Sequence, residues 1–327
     1  MFACCRANCI LSLGSAAASR AATARLARLS GGRIASISYR LAPQNPFPAG
    51  LIDVLTAYVA LLYPEPGSWH DPVPANRIVF AGDSAGANLC LSAIQVILHF
   101  QRSSPSGEKL KIQGIERDMP LPAGFTCHGA WCDLTDAMPS FERNARLDYL
   151  PYPQPPMAPG FPQDAVWPAQ PPRGHVYCDA SILDHPLVSP AAAMDWTGAP
   201  PMWFSMGSEE RNIDGAKMVC ARALAQGTTV VWDEYEGMSH GFALLLGQLP
   251  QAKQCAKDWA AACKVLGSGS NMESQGRLLR MPDCVPRGID LGGLAPMDHE
   301  EACSKMASNA ARNFPVISRQ SKGTSML

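Results

Sequence analysis

The chain has 327 residues, 47% apolar and 17% charged, with 27 Lys and Arg against 28 Asp and Glu for a formal charge of −1. That balance excludes a disordered chain, which combines low hydrophobicity with high net charge, and offers no basic excess for nucleic acid or an acidic membrane. No apolar run approaches the roughly 18 residues of a membrane span, and 29 prolines with 27 glycines predict many turns and short elements.

No acidic residue precedes Asp53, and Arg6, Arg20, Arg25, Arg28, Arg33 and Arg40 lie among Ala and Ser, as in a transit peptide. Arg6 interrupts any apolar leader, however, and Ala21, Ala22, Leu26 and Leu29 repeat at helical spacing. A core helix is therefore preferred to a targeting segment. The β-branched stretch Ile34 to Tyr39 predicts a strand, and Leu51 to Leu62 a helix with Val54, Tyr58 and Leu61 on one face. Arg77 to Ala81 is a continuous apolar run suited to a strand covered on both faces, and a glycine-rich turn then opens a helix from Ala87 to Phe100. Further strands are expected at Ala123 to Cys127, Met202 to Met206 and Thr228 to Tyr235. Helices are expected at Gly215 to Ala225 and Gln251 to Leu266. Strands alternating with helices in this way indicate an α/β fold with a parallel sheet.

Two regions fall outside the alternation. Residues 136–196, with nine prolines between Pro151 and Pro172, read as a loop-rich insertion within a domain spanning 1–266. Residues 267–327 open on Gly267-Ser268-Gly269-Ser270, a linker composition, and read as a peripheral polar extension. The twelve cysteines scatter from Cys4 to Cys303 without a C-x-x-C pair, and Cys4, Cys5 and Cys9 do not match zinc-ligand spacing. Reduced thiols, no metal site and a cytoplasmic location are expected, with Cys90 and Cys220 as small buried hydrophobes on helices.

Gly82-Asp83-Ser84-Ala85-Gly86 matches the G-x-S-x-G nucleophile elbow, between an apolar strand and a helix as that motif requires. A serine hydroxyl is a weak nucleophile without an adjacent base. His240, in Gly237-Met238-Ser239-His240-Gly241-Phe242, follows the strand ending at Tyr235 and stands in the correct chain order, whereas His185 and His99 read as structural. The base needs a carboxylate to hold its tautomer. Glu209, Glu210, Asp214 and Asp233 stand nearby; chain order narrows the choice to Gly207 through Asp214, and spacing does not separate Glu209 from Glu210.

Tyr39-Arg40-Leu41-Ala42-Pro43, Pro46-Phe47-Pro48-Ala49 and Gly82 through Leu89 together resemble the hormone-sensitive-lipase-like esterases of the α/β-hydrolase superfamily. Asp133-Leu134-Thr135, His185-Pro186-Leu187-Val188-Ser189-Pro190 and His240-Gly241-Phe242 extend the resemblance over about Leu13 to Leu266. The proline-rich insertion and Tyr177-Cys178-Asp179 are most similar to fungal members. The resemblance implies an α/β-hydrolase fold with a cap and hydrolysis of small-molecule carboxylic esters without metal or organic cofactor. It makes Ser84 the nucleophile and His240 the base. In the family the acid lies four residues before an aspartate opening the next helix; Asp214 matches that aspartate, which selects Glu210.

The family's His-Gly-Gly oxyanion loop has no counterpart. Counting back from Leu13-Gly14-Ser15 places it at Ala7-Asn8-Cys9. The Ala85 N–H remains as one oxyanion donor, and loss of a donor costs ~10²–10³ in rate. The strand before that loop belongs mid-sheet, between those at Ile34 and Arg77. Either Phe2 to Cys5 fills the place or the true start lies upstream of the given one; the second is preferred. A non-catalytic relative that keeps the pocket for binding, like the plant gibberellin receptors that resemble this family, or a truncated product without activity, is the alternative to an ester hydrolase.

Overall fold

The computed structural model describes residues 2–6, 20–103, 109–112, 114–150, 152, 163–171 and 173–313. Ala7-Asn8-Cys9, Leu13-Gly14-Ser15 and most of the proline run lie outside them. The elements run β1 (Phe2–Arg6), α1 (Arg20–Ser30), β2 (Ile34–Ser36), α2 (Ala49–Leu62), β3 (Val79–Asp83), α3 (Ala85–Ser103), β4 (Leu110–Ile112) and β5 (Ile115–Arg117). They continue with β6 (Gly124–His128), α4 (Pro139–Arg143), β7 (Met202–Gly207), α5 (Ile213–Ala225), β8 (Val230–Tyr235), α6 (Phe242–Leu245) and α7 (Pro250–Ser268). Last come β9 (Gln275–Arg280), β10 (Val285–Ile289) and α8 (His299–Asn313).

Eight strands form one sheet in the order β10-β9-β8-β7-β6-β3-β1-β2, and every neighbouring pair is parallel except the β9–β10 hairpin. Successive side chains of a strand point to opposite faces, so each central strand feeds two cores. Phe80, Phe204 and Trp232 enter the larger core with α2, α3 and α5. Their neighbours Val79, Ala81, Trp203 and Val231 meet Leu26 of α1 and Trp259, Cys263 and Leu266 of α7 on the other face. This is the α/β-hydrolase architecture, a mostly parallel sheet flanked by helices. β4 and β5 form a separate two-stranded hairpin that the sequence pattern did not reveal. The mid-chain thiols Cys90 and Cys220 are buried on α3 and α5.

One of the two N-terminal alternatives is realised, and two expectations change. The place between β2 and β3 is taken by residues 2–6 themselves, paired Phe2 with Ile34 and Ala3 with Phe80; at ~3.3 Å per residue, five residues match the five of β3. Gly267 and Ser268 end α7 rather than opening a linker. Gly269, at φ 74, supplies the left-handed turn, with its N–H donating to Leu266 O and that of Ser270 to Val265 O. Beyond that cap the chain returns to the fold. β9 pairs with β8, and Ala302, Met306 and Ala310 of α8 enter the larger core, where Asn309 Nδ2 donates to Thr135 O at 2.7 Å.

Candidate active site

β3 runs into the turn that carries Ser84, whose φ of +52 is the left-handed conformation that lifts a side chain off the strand end. Gly82 permits this turn: a Cβ there would stand 2.5 Å from Ala87 N and Gly86 C. The Ser84 N–H donates to His128 O at 3.0 Å, fixing the turn to β6. Ala85 opens α3, so its N–H is among the first-turn donors without an intrahelical acceptor.

β7 and β8, parallel neighbours, deliver the other two groups. The turn after β7 carries Glu210, and the loop after β8 carries His240. Ser84 Oγ lies 3.0 Å from His240 Nε2, and His240 Nδ1 lies 2.9 Å from Glu210 Oε2. The second carboxylate oxygen of Glu210 accepts the Gly207 N–H at 2.6 Å. Ser84, His240 and Glu210 are 2%, 1% and 0% exposed. Burial pushes the Glu210 carboxyl above the ordinary carboxylate range, while its bonds from His240 and the Gly207 N–H pull it back toward the ionised form. An ionised Glu210 accepts from Nδ1–H, which leaves Nε2 free to accept the Ser84 proton.

The other carboxylates are engaged elsewhere. Asp214 binds Arg143 through both oxygens and accepts the Ser140 N–H. Asp233 is held by Arg277 and by Trp203 Nε1. Glu209 is half-buried beside Ser208. His185 and His99 are exposed, away from these groups. Sequence reasoning missed the segment 140–148. There Asn144 Nδ2 donates to the Ser208 and Glu210 carbonyls, Ser140 Oγ donates to Arg211 O, and Asp148 accepts N–H bonds from Arg211 and His240. The Arg211 guanidinium lies 4.1 Å over the Phe141 ring, closing this segment onto the acid turn. Among the described residues no helix is long and apolar enough to cross a membrane.

A family model described as alpha/beta hydrolase fold matches residues 9–244. An acetyl-hydrolase of Streptomyces hygroscopicus is 31% identical over 243 residues, covering 74% of this chain and 68% of that protein. An esterase of Acinetobacter venetianus is 26% identical over 248 residues, 76% of this chain and 69% of its own. Among solved structures, a hormone-sensitive lipase from a metagenome library matches with a TM-score of 0.63 and 27% identity, over 81% of this chain and 76% of that one. An esterase from the bacterial hormone-sensitive lipase family matches at TM-score 0.61 and 26% identity, over 80% and 75%. Through a family match that spans most of its length and takes in both the elbow and the central strands, the chain belongs to the alpha/beta hydrolase fold family, as a hormone-sensitive-lipase-like member of carboxylesterase type.

Proposed function

We propose that the protein hydrolyses small carboxylic esters through a Ser84–His240–Glu210 triad and an acyl-enzyme. The observation that carries this reading is the continuous buried relay, 3.0 Å from Ser84 Oγ to His240 Nε2 and 2.9 Å from Nδ1 to Glu210. Ser84 Oγ attacks the ester carbonyl carbon as His240 takes its proton, and Glu210 stabilises the imidazolium. The Ala85 N–H, at the positive end of α3, donates to the carbonyl oxygen as it gains charge. His240 returns the proton to the departing alkoxide, leaving the acyl group on Ser84. Water then attacks by the same route in reverse roles, releasing the acid and restoring Ser84. The acetyl-hydrolase relative supports a short acyl group, and p-nitrophenyl acetate is the corresponding test substrate.

Ser84→Ala is expected to lower p-nitrophenyl acetate hydrolysis roughly 10⁴- to 10⁶-fold. A fluorophosphonate should label the parent chain at Ser84 and leave the variant unlabelled. A Ser84→Ala chain as active as its parent defeats the reading. Failure of a cooperatively folded parent to label favours a pocket kept for binding alone, the outcome that the missing glycines at Ala7-Asn8-Cys9 would favour.

A further inference from the structure

We infer that Asp148 is a positioning residue for the candidate triad, its two carboxylate oxygens holding the base-bearing and acid-bearing turns in register. Oδ1 accepts the His240 N–H at 3.2 Å and Oδ2 accepts the Arg211 N–H at 2.8 Å. The first donor belongs to the base itself, and the second to the residue after the acid. Both amides lie between regular elements, outside any helix or strand ladder that could pair them, and a buried N–H without an acceptor costs on the order of 1–3 kcal/mol. One side chain meets both needs from 63 residues upstream of Arg211 and 92 upstream of His240.

Asp148 is itself fixed. It is 8% exposed, and its own N–H donates to Asn144 O at 3.0 Å. Asn144 in turn donates through Nδ2 to the carbonyls of Ser208 and Glu210. The span from α4 to Asp148 therefore grips the acid turn at several points, and Asp148 extends that grip to the base. The relay depends on two contacts near 3 Å made by residues on different loops. A displacement of about 1 Å between those loops is enough to cost about a hundredfold in rate.

The inference rests on the triad reading, so the test begins with the full-length parent, in which Ser84 labelling and the loss caused by Ser84→Ala are measured first. Asp148→Asn keeps the shape but offers one acceptor for two N–H donors, and Asp148→Ala offers none. With p-nitrophenyl acetate, kcat should fall about tenfold in the first and about a hundredfold in the second, with KM within about twofold. The rate of fluorophosphonate labelling at Ser84 should fall in step with kcat, because it reads the activated serine without substrate recognition. Melting temperatures should fall by several degrees, more in Asp148→Ala than in Asp148→Asn, because buried N–H groups lose their acceptor, so kcat is read per folded molecule at a temperature where both variants remain folded. Unchanged kcat in folded variants overturns the inference while leaving the triad reading intact. So does a loss explained by less folded protein, with kcat per folded molecule unchanged, or failure of both variants to fold, since Asp148 then serves the fold and not the site.

Discussion

At Glu210, one carboxylate oxygen faces the imidazole and the other is tied to the Gly207 N–H, so the group has one orientation available. Glu210→Gln keeps the size but presents an amide to Nδ1, disfavouring the tautomer that receives the serine proton. By analogy with the corresponding change in a serine protease, kcat should fall by about 10⁴. Glu209→Gln, one residue away and half-buried, should leave kcat within a few-fold; equal losses in the two variants would reassign the acid. The serine and the histidine were legible because local sequence marks them, an elbow pentapeptide and a loop directly after a strand. The choice between Glu209 and Glu210 was not legible from spacing, because it depends on which carboxyl faces the loop after β8. The resemblance made that choice through Asp214, which in the structure binds Arg143 and Ser140 of α4. Asp148 left no local signal at all: its partners are backbone amides, which carry no side-chain identity to read.

Among the elements, the β3–α3 junction concentrates the steric demand. Ser84 at φ +52 stores on the order of 1–3 kcal/mol of backbone strain, which the sheet and helix on either side sustain. Gly82→Ala would drive a methyl into the first turn of α3 at 2.5 Å, where backbone and not a flexible side chain must yield. A loss of about 3 kcal/mol or more is expected in urea unfolding, with activity falling because the elbow shifts; parent-like stability would show that the turn tolerates a side chain. Central strands and long helices were readable from apolar runs and helical spacing, and α2, α3, α5 and α7 fall close to their expected spans. The β4–β5 hairpin was not, since three-residue strands carry too short a pattern. Gly267-Ser268-Gly269-Ser270 misled for a physical reason: the same residues that make a flexible linker also make a helix C-cap, and only the fate of the following chain separates the two.

For the molecule as a whole, residues 275–313 are structural. Asp233, 0% exposed, is pushed upward by burial and held down by Arg277 of β9. A chain ended at residue 270 strands that carboxylate and uncovers the core under Ala302, Met306 and Ala310. It should lose the cooperative thermal transition, and retention of a parent-like transition would make the segment dispensable. The stretch escaped sequence reading because α8 contributes only a narrow stripe of small residues and Met306, and β9 carries only two apolar side chains, Leu278 and Leu279, between Arg277 and Arg280. Acid sensitivity is a second global property. Burial, with Arg173 nearby, lowers His175 from 6.5 to about 3. Between those values the unfolded chain binds a proton that the native one refuses, so stability falls as pH drops below about 6.5, by on the order of 1 kcal/mol per unit. His175→Gln should flatten the fall in urea midpoint between pH 7 and 4.5, and an unaltered slope would remove His175 as its source.

The β9–β10 hairpin also decides what the sheet shows to other molecules. β10 is the outermost strand on its side, with Val285 62% exposed, Pro286 lacking an N–H to offer, and Arg287 beside it. Proline and charge on a border strand discourage a second chain from adding to it. Proteolytic nicking at the turn between β9 and β10 would free β10 from its covalent tie and leave β9, still paired to β8, as a border strand open to intermolecular pairing. The first sign of such damage would be turbidity and lost yield, with the remaining soluble fraction still turning over substrate.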